Sequence, residues 1–187
     1  MADRVGQPPC SPPPRAGRTP GRTLRWGAVT LIALAGLGLS IARPHHPLLV
    51  WNASPSSRIG LYLVNAHAVP GIGNMVVAWP PAAARRLAAA RNYLPAAVPL
   101  VKRVAAVAGD RVCARQDRIS IDGRWVTDRR SHDPSGRPLP WWSGCRRLGP
   151  GELFLLTAGR PDAFDGRYFG VTGASQIVGR ARLLWAR

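Results

Sequence analysis

Among 26 basic residues only one is a lysine, Lys102, in the run PLVKRVAAVAGD at 99–110; all the others are arginines. Arginine keeps its proton in a protein, whereas a lysine in apolar surroundings releases its proton more readily and can then serve as a general base. On a strand, alternate residues share a face, so Lys102 points with Leu100 and Val104, while Val101 and Arg103 point the other way. The alternative is a lysine with a buried stem and an ammonium that reaches water. A neutral lysine needs a hydroxyl to act on, and the stretch at 52–62 (NASPSSRIGLY) supplies Ser54, Ser56 and Ser57. A serine hydroxyl is a weak nucleophile until a base takes its proton, so a Ser-Lys pair requires these two regions to be brought together. Serines at this spacing equally suit a turn held by hydroxyl-to-backbone bonds.

Other chemistries find less support. His45 and His46 are adjacent, His67 and His132 stand apart, and no Cys-x-x-Cys occurs, so no metal site is expected. There is no glycine-rich phosphate loop and no Gly-x-Ser-x-Gly elbow, and no cofactor is expected. Glu152 is the only glutamate and the aspartates are scattered, which disfavours paired-carboxylate chemistry. The formal charge of +17 points to an anionic partner such as nucleic acid or a lipid surface. Because the arginines are dispersed rather than gathered in a stripe, direct nucleic-acid binding is not expected.

The elements that must position these residues follow from the patterning. Residues 1–25 are proline- and arginine-rich with little to bury and read as a disordered basic tail. Residues 26–42 (WGAVTLIALAGLGLSIA) carry no charge and are at the short end for a membrane-spanning helix. The basic residues before this segment put the N-terminus in the cytoplasm and everything beyond residue 43 outside. A cleaved signal peptide is the competing reading, since Ser40-Ile41-Ala42 resembles a small-x-small cleavage site; either way the remainder is exported. From residue 43 to 187 short apolar runs at 60–64, 74–79, 101–107, 118–121, 152–157 and 177–185 alternate with Gly, Pro and Asp turns, and Asp122-Gly123 marks a tight hairpin. Only 80–94 (PPAAARRLAAARNYL) favours a helix. The expectation is a mainly antiparallel β domain with a short helical insertion, preceded by one transmembrane helix.

Three ordered blocks resemble the signal peptidase family of Ser-Lys enzymes, and within it the TraF-type conjugal-transfer peptidases. Asn52, Ser54, Ser56, Gly60 and Tyr62 match Asn-x-(Ser/Thr)-x-Ser-x-Pro-x-Gly-x-Tyr, with Arg58 in place of the proline. The run from Val101 through Lys102 to Gly109-Asp110 resembles the family's general-base strand and the turn after it. Phe164-Asp165-Gly166-Arg167-Tyr168-Phe169-Gly170 resembles its Asp-x-Arg-(Tyr/Phe)-(Trp/Phe)-Gly box. The resemblance implies a signal-peptidase-like β fold with Ser56 as nucleophile and Lys102 as general base. The Ser54 hydroxyl and the Ser56 backbone N–H would hold the oxyanion. It makes Asp165 and Arg167 a site-shaping ion pair, for which an ordinary structural salt bridge is the alternative. In many relatives a serine two residues before that aspartate orients the lysine; here the position is Ala163.

The resemblance also implies a disulfide between Cys113 and Cys145, against the alternative of two free thiols, with Cys10 left in the tail. Its functional implication is an inner-membrane serine endopeptidase with a cytoplasmic N-terminus and a periplasmic catalytic domain. The substrate would be an exported precursor with small residues before the cut, a conjugative pilin subunit, with cyclisation of the product as one route. Mating-pore components would be neighbours. A general signal peptidase and a non-catalytic anchored scaffold of a transfer or secretion apparatus are the rival readings.

Overall fold

The computed structural model describes residues 20–42, 49–157, 159–160 and 162–187. The expected tail at 1–25, with Cys10, lies outside the described residues up to position 19, as do His45 and His46. The chain divides into two units, residues 1–45 and 46–187.

In the first unit, α1 (Pro20–Ala42) is a helix that includes the whole uncharged stretch at 26–42. Val29, Leu31, Ile32, Leu34 and Leu37 on it are exposed. Among the described residues no helix is both long and apolar enough to cross a membrane. The expected helix is present, and a spanning role for it does not follow from the fold alone.

The second unit is built from two antiparallel sheets. Six strands, β1 (Leu49–Asn52), β2 (Gly60–Asn65), β3 (Met75–Ala78), β4 (Leu100–Ala106), β9 (Phe154–Leu156) and β10 (Ile177–Ala186), pair in the order β1-β2-β10-β3-β4-β9. Four more, β5 (Arg111–Arg115), β6 (Arg118–Ile121), β7 (Arg124–Asp128) and β8 (Gly144–Arg147), pair in the order β7-β6-β5-β8. The larger sheet is buried on both faces along β3, β4 and β9, whose apolar runs are nearly continuous, while β2 alternates buried and more exposed residues. Tyr62, Val64, Val77, Val101, Val178 and Ala181 form one cluster, and Val76, Ala78, Val104, Leu153 and Leu155 another. A third cluster joins the end of β4 to the smaller sheet through Ala106, Val112, Ala114, Ile119 and Phe154.

Local rules explain the joints. Asp122 and Gly123 take φ of 48° and 79°, the two positive values a type I′ hairpin demands, and link β6 to β7. Gly60 opens β2 where a side chain has no room, because a Cβ there would lie 2.1 Å from the carbonyl oxygen of Trp185 on β10. The expected helix at 80–94 is shorter, α2 (Ala82–Ala90): it stops at Arg91 because Asn92 turns to φ 58°, and Pro95 follows. Residues 93–98 are thereby released to cross towards β4. The expected pairing of Cys113 and Cys145 is a disulfide that closes a sequence separation of 32 and joins directly opposed residues of β5 and β8. Neither thiol is free.

Candidate active site

The serine stretch is a turn between β1 and β2 whose shape is dictated by Asn52. Its amide Nδ2 donates to the carbonyls of Ser54 (2.9 Å), Arg58 (3.0 Å) and Ser57 (3.3 Å), while its Oδ1 accepts the Ser54 N–H at 3.2 Å. Tyr62, four residues beyond on β2, donates its hydroxyl to the same Arg58 carbonyl at 2.8 Å. The Ser57 hydroxyl donates to the Val101 carbonyl at 2.8 Å, stitching the turn to β4 beside Lys102. The asparagine and tyrosine of the motif thus hold the backbone of the turn. Arg58 contributes its carbonyl to both clamps while its side chain is exposed, so the proline of the family pattern is not needed to fix this corner.

Lys102 arrives from β4, opposite Val76 of β3 and on the same face of β4 as Val104, as strand alternation predicts. It is 2 % exposed, so its ammonium does not reach water. Instead Nζ donates to Ser56 Oγ at 2.8 Å and to Thr157 Oγ1 at 2.9 Å. Burial lowers its pKa from 10.5 to about 8; Asp165 opposes that shift, and Arg167 and Arg160 add to it. A group so placed is neutral in a minority of molecules near neutral pH and in a growing share above it, and its lone pair can then receive the Ser56 proton. Ser54 Oγ lies 2.9 Å from Ser56 Oγ and accepts the Ser56 backbone N–H at 3.3 Å. Two groups that can donate a hydrogen bond, the Ser54 hydroxyl and the Ser56 N–H, therefore lie beside Ser56 Oγ.

Asp165 and Arg167 are wholly buried and paired, Nε to Oδ1 at 2.8 Å and Nη2 to Oδ2 at 3.1 Å. Neither hydrogen-bonds to Lys102 or Ser56. Asp165 Oδ2 accepts the Thr157 N–H at 2.8 Å, and Arg167 Nη2 donates to the Thr157 carbonyl at 2.9 Å. Asp165 also caps the short helix α3 (Gly166–Phe169) by accepting the Arg167 N–H. Gly166 between them has no room for a side chain, since a Cβ would lie 2.7 Å from the Leu155 carbonyl oxygen. The pair is structural in form and touches the reactive lysine only through Thr157.

The Ser56 hydroxyl opens on a cleft of about 760 Å³, with Trp51, Tyr93, Val98, Ala163 and Phe164 among its lining residues. Its far wall is held by Asp133, which accepts from the Tyr93 hydroxyl, from Arg137 Nε at 2.7 Å and from the backbone N–H groups of Ser135 and Arg137. Burial pushes the Asp133 carboxyl up, but these bonds outweigh it and hold the group well below the usual carboxylate range. The wall is thus tied by a permanently ionised group at neutral pH. Among the described residues no group of three or more His, Cys, Asp or Glu is placed to hold a metal ion. The His67 backbone N–H donates to Asn65 Oδ1, and His132 Nδ1 lies within hydrogen-bond distance of the Ser131 hydroxyl.

Sequence reasoning placed Ser54, Ser56, Lys102, Asp165 and Arg167 in one neighbourhood, which the fold brings together; Cys113 and Cys145 belong to the other sheet. It missed Thr157, Asn52 as the organiser of the turn, and the Tyr93–Asp133–Arg137 wall. Thr157 carried one signal, as the only hydroxyl in the apolar run 152–157.

Residues 23–186 match the family described as signal peptidase, peptidase S26. A probable conjugal transfer protein TraF of Sinorhizobium fredii (strain NBRC 101917 / NGR234) is 33% identical over 141 residues, covering 70% of this chain and 73% of that protein. The plasmid transfer protein TraF of Escherichia coli is 38% identical over 82 residues, 42% of this chain and 46% of the relative, so the match spans about half the relative's length. A signal peptidase I of Bacillus caldolyticus is 30% identical over 95 residues, 43% of this chain and 50% of the relative. Among solved structures, a signal peptidase I from Enterococcus faecalis V583 aligns with a TM-score of 0.35 at 19% identity, over 60% of this chain and 97% of that one. With a family match across nearly the whole chain and TraF proteins among its relatives, this protein belongs to the signal peptidase, peptidase S26 family, of the TraF-type branch.

Proposed function

We propose that the protein is a membrane-anchored serine endopeptidase of conjugation in which Ser56 is the nucleophile and Lys102 the general base. The observation that carries this reading is the 2.8 Å bond between Lys102 Nζ and Ser56 Oγ inside a site where the lysine is 2 % exposed. In the neutral state Nζ takes the Ser56 proton as Oγ attacks the peptide carbonyl carbon. The Ser54 hydroxyl and the Ser56 N–H turn from each other to the developing oxyanion. Collapse of the adduct breaks the C–N bond, and the Lys102 ammonium returns the proton to the departing amine. The ester on Ser56 is then opened by water, giving a free carboxylate, or by an amine, giving a new amide.

The substrate is an exported precursor with small residues before the cut, a conjugative pilin subunit; the naming of the relatives as conjugal transfer proteins supports this choice. The amine route would cyclise it, and mating-pore components would be its surroundings. Residues 1–25 form the cytoplasmic tail, 26–42 the inner-membrane anchor and 43–187 the periplasmic catalytic domain. The basic flank at Arg22 and Arg25 and the exposed apolar side chains of α1 support this orientation.

The test is processing of a pilin precursor by the full chain. Wild-type protein cuts it; Ser56→Ala and Lys102→Arg, both folded, lose about 10⁴-fold or more in kcat/KM, because arginine keeps the charge but provides no neutral base. Retained processing in either variant would overturn the Ser-Lys assignment, and a folded wild-type chain that cuts no precursor would return the chain to the scaffold reading. A product lighter than the linear mature form by one water identifies the amine route, and the linear mass excludes it. The similarity to a Bacillus signal peptidase I favours, as second reading, a general signal peptidase. That reading gains if unrelated signal-bearing precursors are cut as fast as the pilin.

A further inference from the structure

Position 163, where the family pattern places the serine that orients the lysine, is an alanine here, and its side chain offers no polar atom. The lysine is nevertheless held on two sides, by Ser56 Oγ and by Thr157 Oγ1. From this geometry we infer that Thr157 is the positioning residue for Lys102, supplying from the end of β9 the hydroxyl that position 163 lacks. The inference rests on the Ser-Lys reading and extends it to a residue that the motifs do not include.

Four features make Thr157 suited to the task. Its place follows from the sheet, because β4 and β9 pair antiparallel with Arg103 opposite Leu156, and the same register carried one residue past the end of β9 sets Thr157 opposite Lys102. Its backbone is fixed on both sides, the N–H by Asp165 and the carbonyl by Arg167, members of a pair that is itself wholly buried. Its branched Cβ restricts χ1, so the hydroxyl has few other places to point. Only 8 % of the residue is exposed, so water does not readily substitute for it.

The consequence for the reaction lies in how an amine is used. A neutral lysine has two N–H bonds and one lone pair, and the lone pair must face Ser56 for proton transfer. An N–H committed to Thr157 Oγ1 turns the lone pair towards Ser56 Oγ and stops the four-carbon stem from swinging. Asp165 and Arg167 thereby act on the lysine through Thr157, as positioning residues of a second rank. They also set opposing charges near it, Asp165 raising its pKa and Arg167 lowering it.

The experiment uses the full chain in detergent with a processed precursor and compares Thr157→Val, which removes the hydroxyl at nearly constant shape, with Thr157→Ser, which keeps it. The charged groups around the lysine, Asp165, Arg167, Arg160 and Asp162, are unchanged in both. Thr157→Val should lower kcat about 10²-fold with KM little altered, as expected for a misplaced reacting group. It should also displace the pH midpoint of activity downward, since the ammonium has lost an acceptor. Thr157→Ser should stay within about threefold of wild type, a difference too small to reflect lost positioning. Wild-type kcat and midpoint in Thr157→Val overturn the inference, and so does an equal loss in both variants, which would mark the packing of the whole side chain rather than the hydroxyl. If Thr157→Val does not fold, Thr157→Ala removes the same hydroxyl without adding an atom and carries the same expectation. Ser56→Ala run alongside separates the two levels. If it is inactive while Thr157→Val is normal, only the positioning role falls; if it is active, the Ser-Lys reading itself falls.

Discussion

The two sheets of the second unit are stabilised by opposite means. The six-stranded sheet carries Lys102, Thr157 and, at its end, the buried Asp165–Arg167 pair, all polar groups held by hydrogen bonds in an apolar setting. The four-stranded sheet carries no part of the reactive cluster and is fastened by the Cys113–Cys145 disulfide between β5 and β8. A covalent staple tolerates a thin core, whereas the polar network tolerates no missing member, because each group lost leaves another buried without a partner. Precision at the reactive lysine is thus obtained from mutual satisfaction, and rigidity in the accessory sheet from a bond that makes no demand on geometry at the site.

Breaking each device separately sharpens that contrast. The larger effect belongs to the network: Arg167→Met leaves Asp165 buried and unpaired and releases the Thr157 carbonyl. It should cost about 3–5 kcal/mol of stability, read as a shift in the denaturant midpoint, and reduce kcat as well. A loss confined to stability would separate the ion pair from the lysine. The smaller effect belongs to the staple. Replacing Cys113 and Cys145 together by alanine removes the constraint on a loop of sequence separation 32, for about 3 kcal/mol under the chain-entropy account. kcat for precursor processing should stay as in the wild type while the domain is folded. A fall in kcat equal to that of Arg167→Met would mean that the two sheets are not independent in function.

Much of the site was readable from residue types. Lys102 stood out because arginine cannot do its work, and the alternation of β4 gave its face correctly. The strands with clear apolar patterning, β2, β3, β4, β6, β9 and β10, fell where expected to within a residue or two. Those that escaped, β1, β5 and β8, are short and either polar or lying next to turn residues. The sequences RVCAR and GCRR show little period-2 signal, and their pairing depends on the partner strand and the disulfide rather than on local preference. Thr157 escaped for a similar reason. Its role arises from the β4–β9 register and from two bonds to residues 8 and 10 positions away, a relation that no local spacing encodes. Asn52 was visible as a motif letter, but its work, gathering three carbonyls under the serine turn, appears only in three dimensions.

The central claim is that Lys102 exchanges its proton near neutrality beside Ser56, and the composition makes it directly measurable. Because Lys102 is the only lysine, labelling lysine at Cε with carbon-13 gives one side-chain signal in the whole protein. Titrated in the folded full chain, that signal should move with a midpoint near pH 8, since burial disfavours the charged form. Precursor processing should rise with pH through the same midpoint, because the base works only after its proton has left. A lysine signal that titrates at about 10.4, the value of a solvated side chain, would contradict the account.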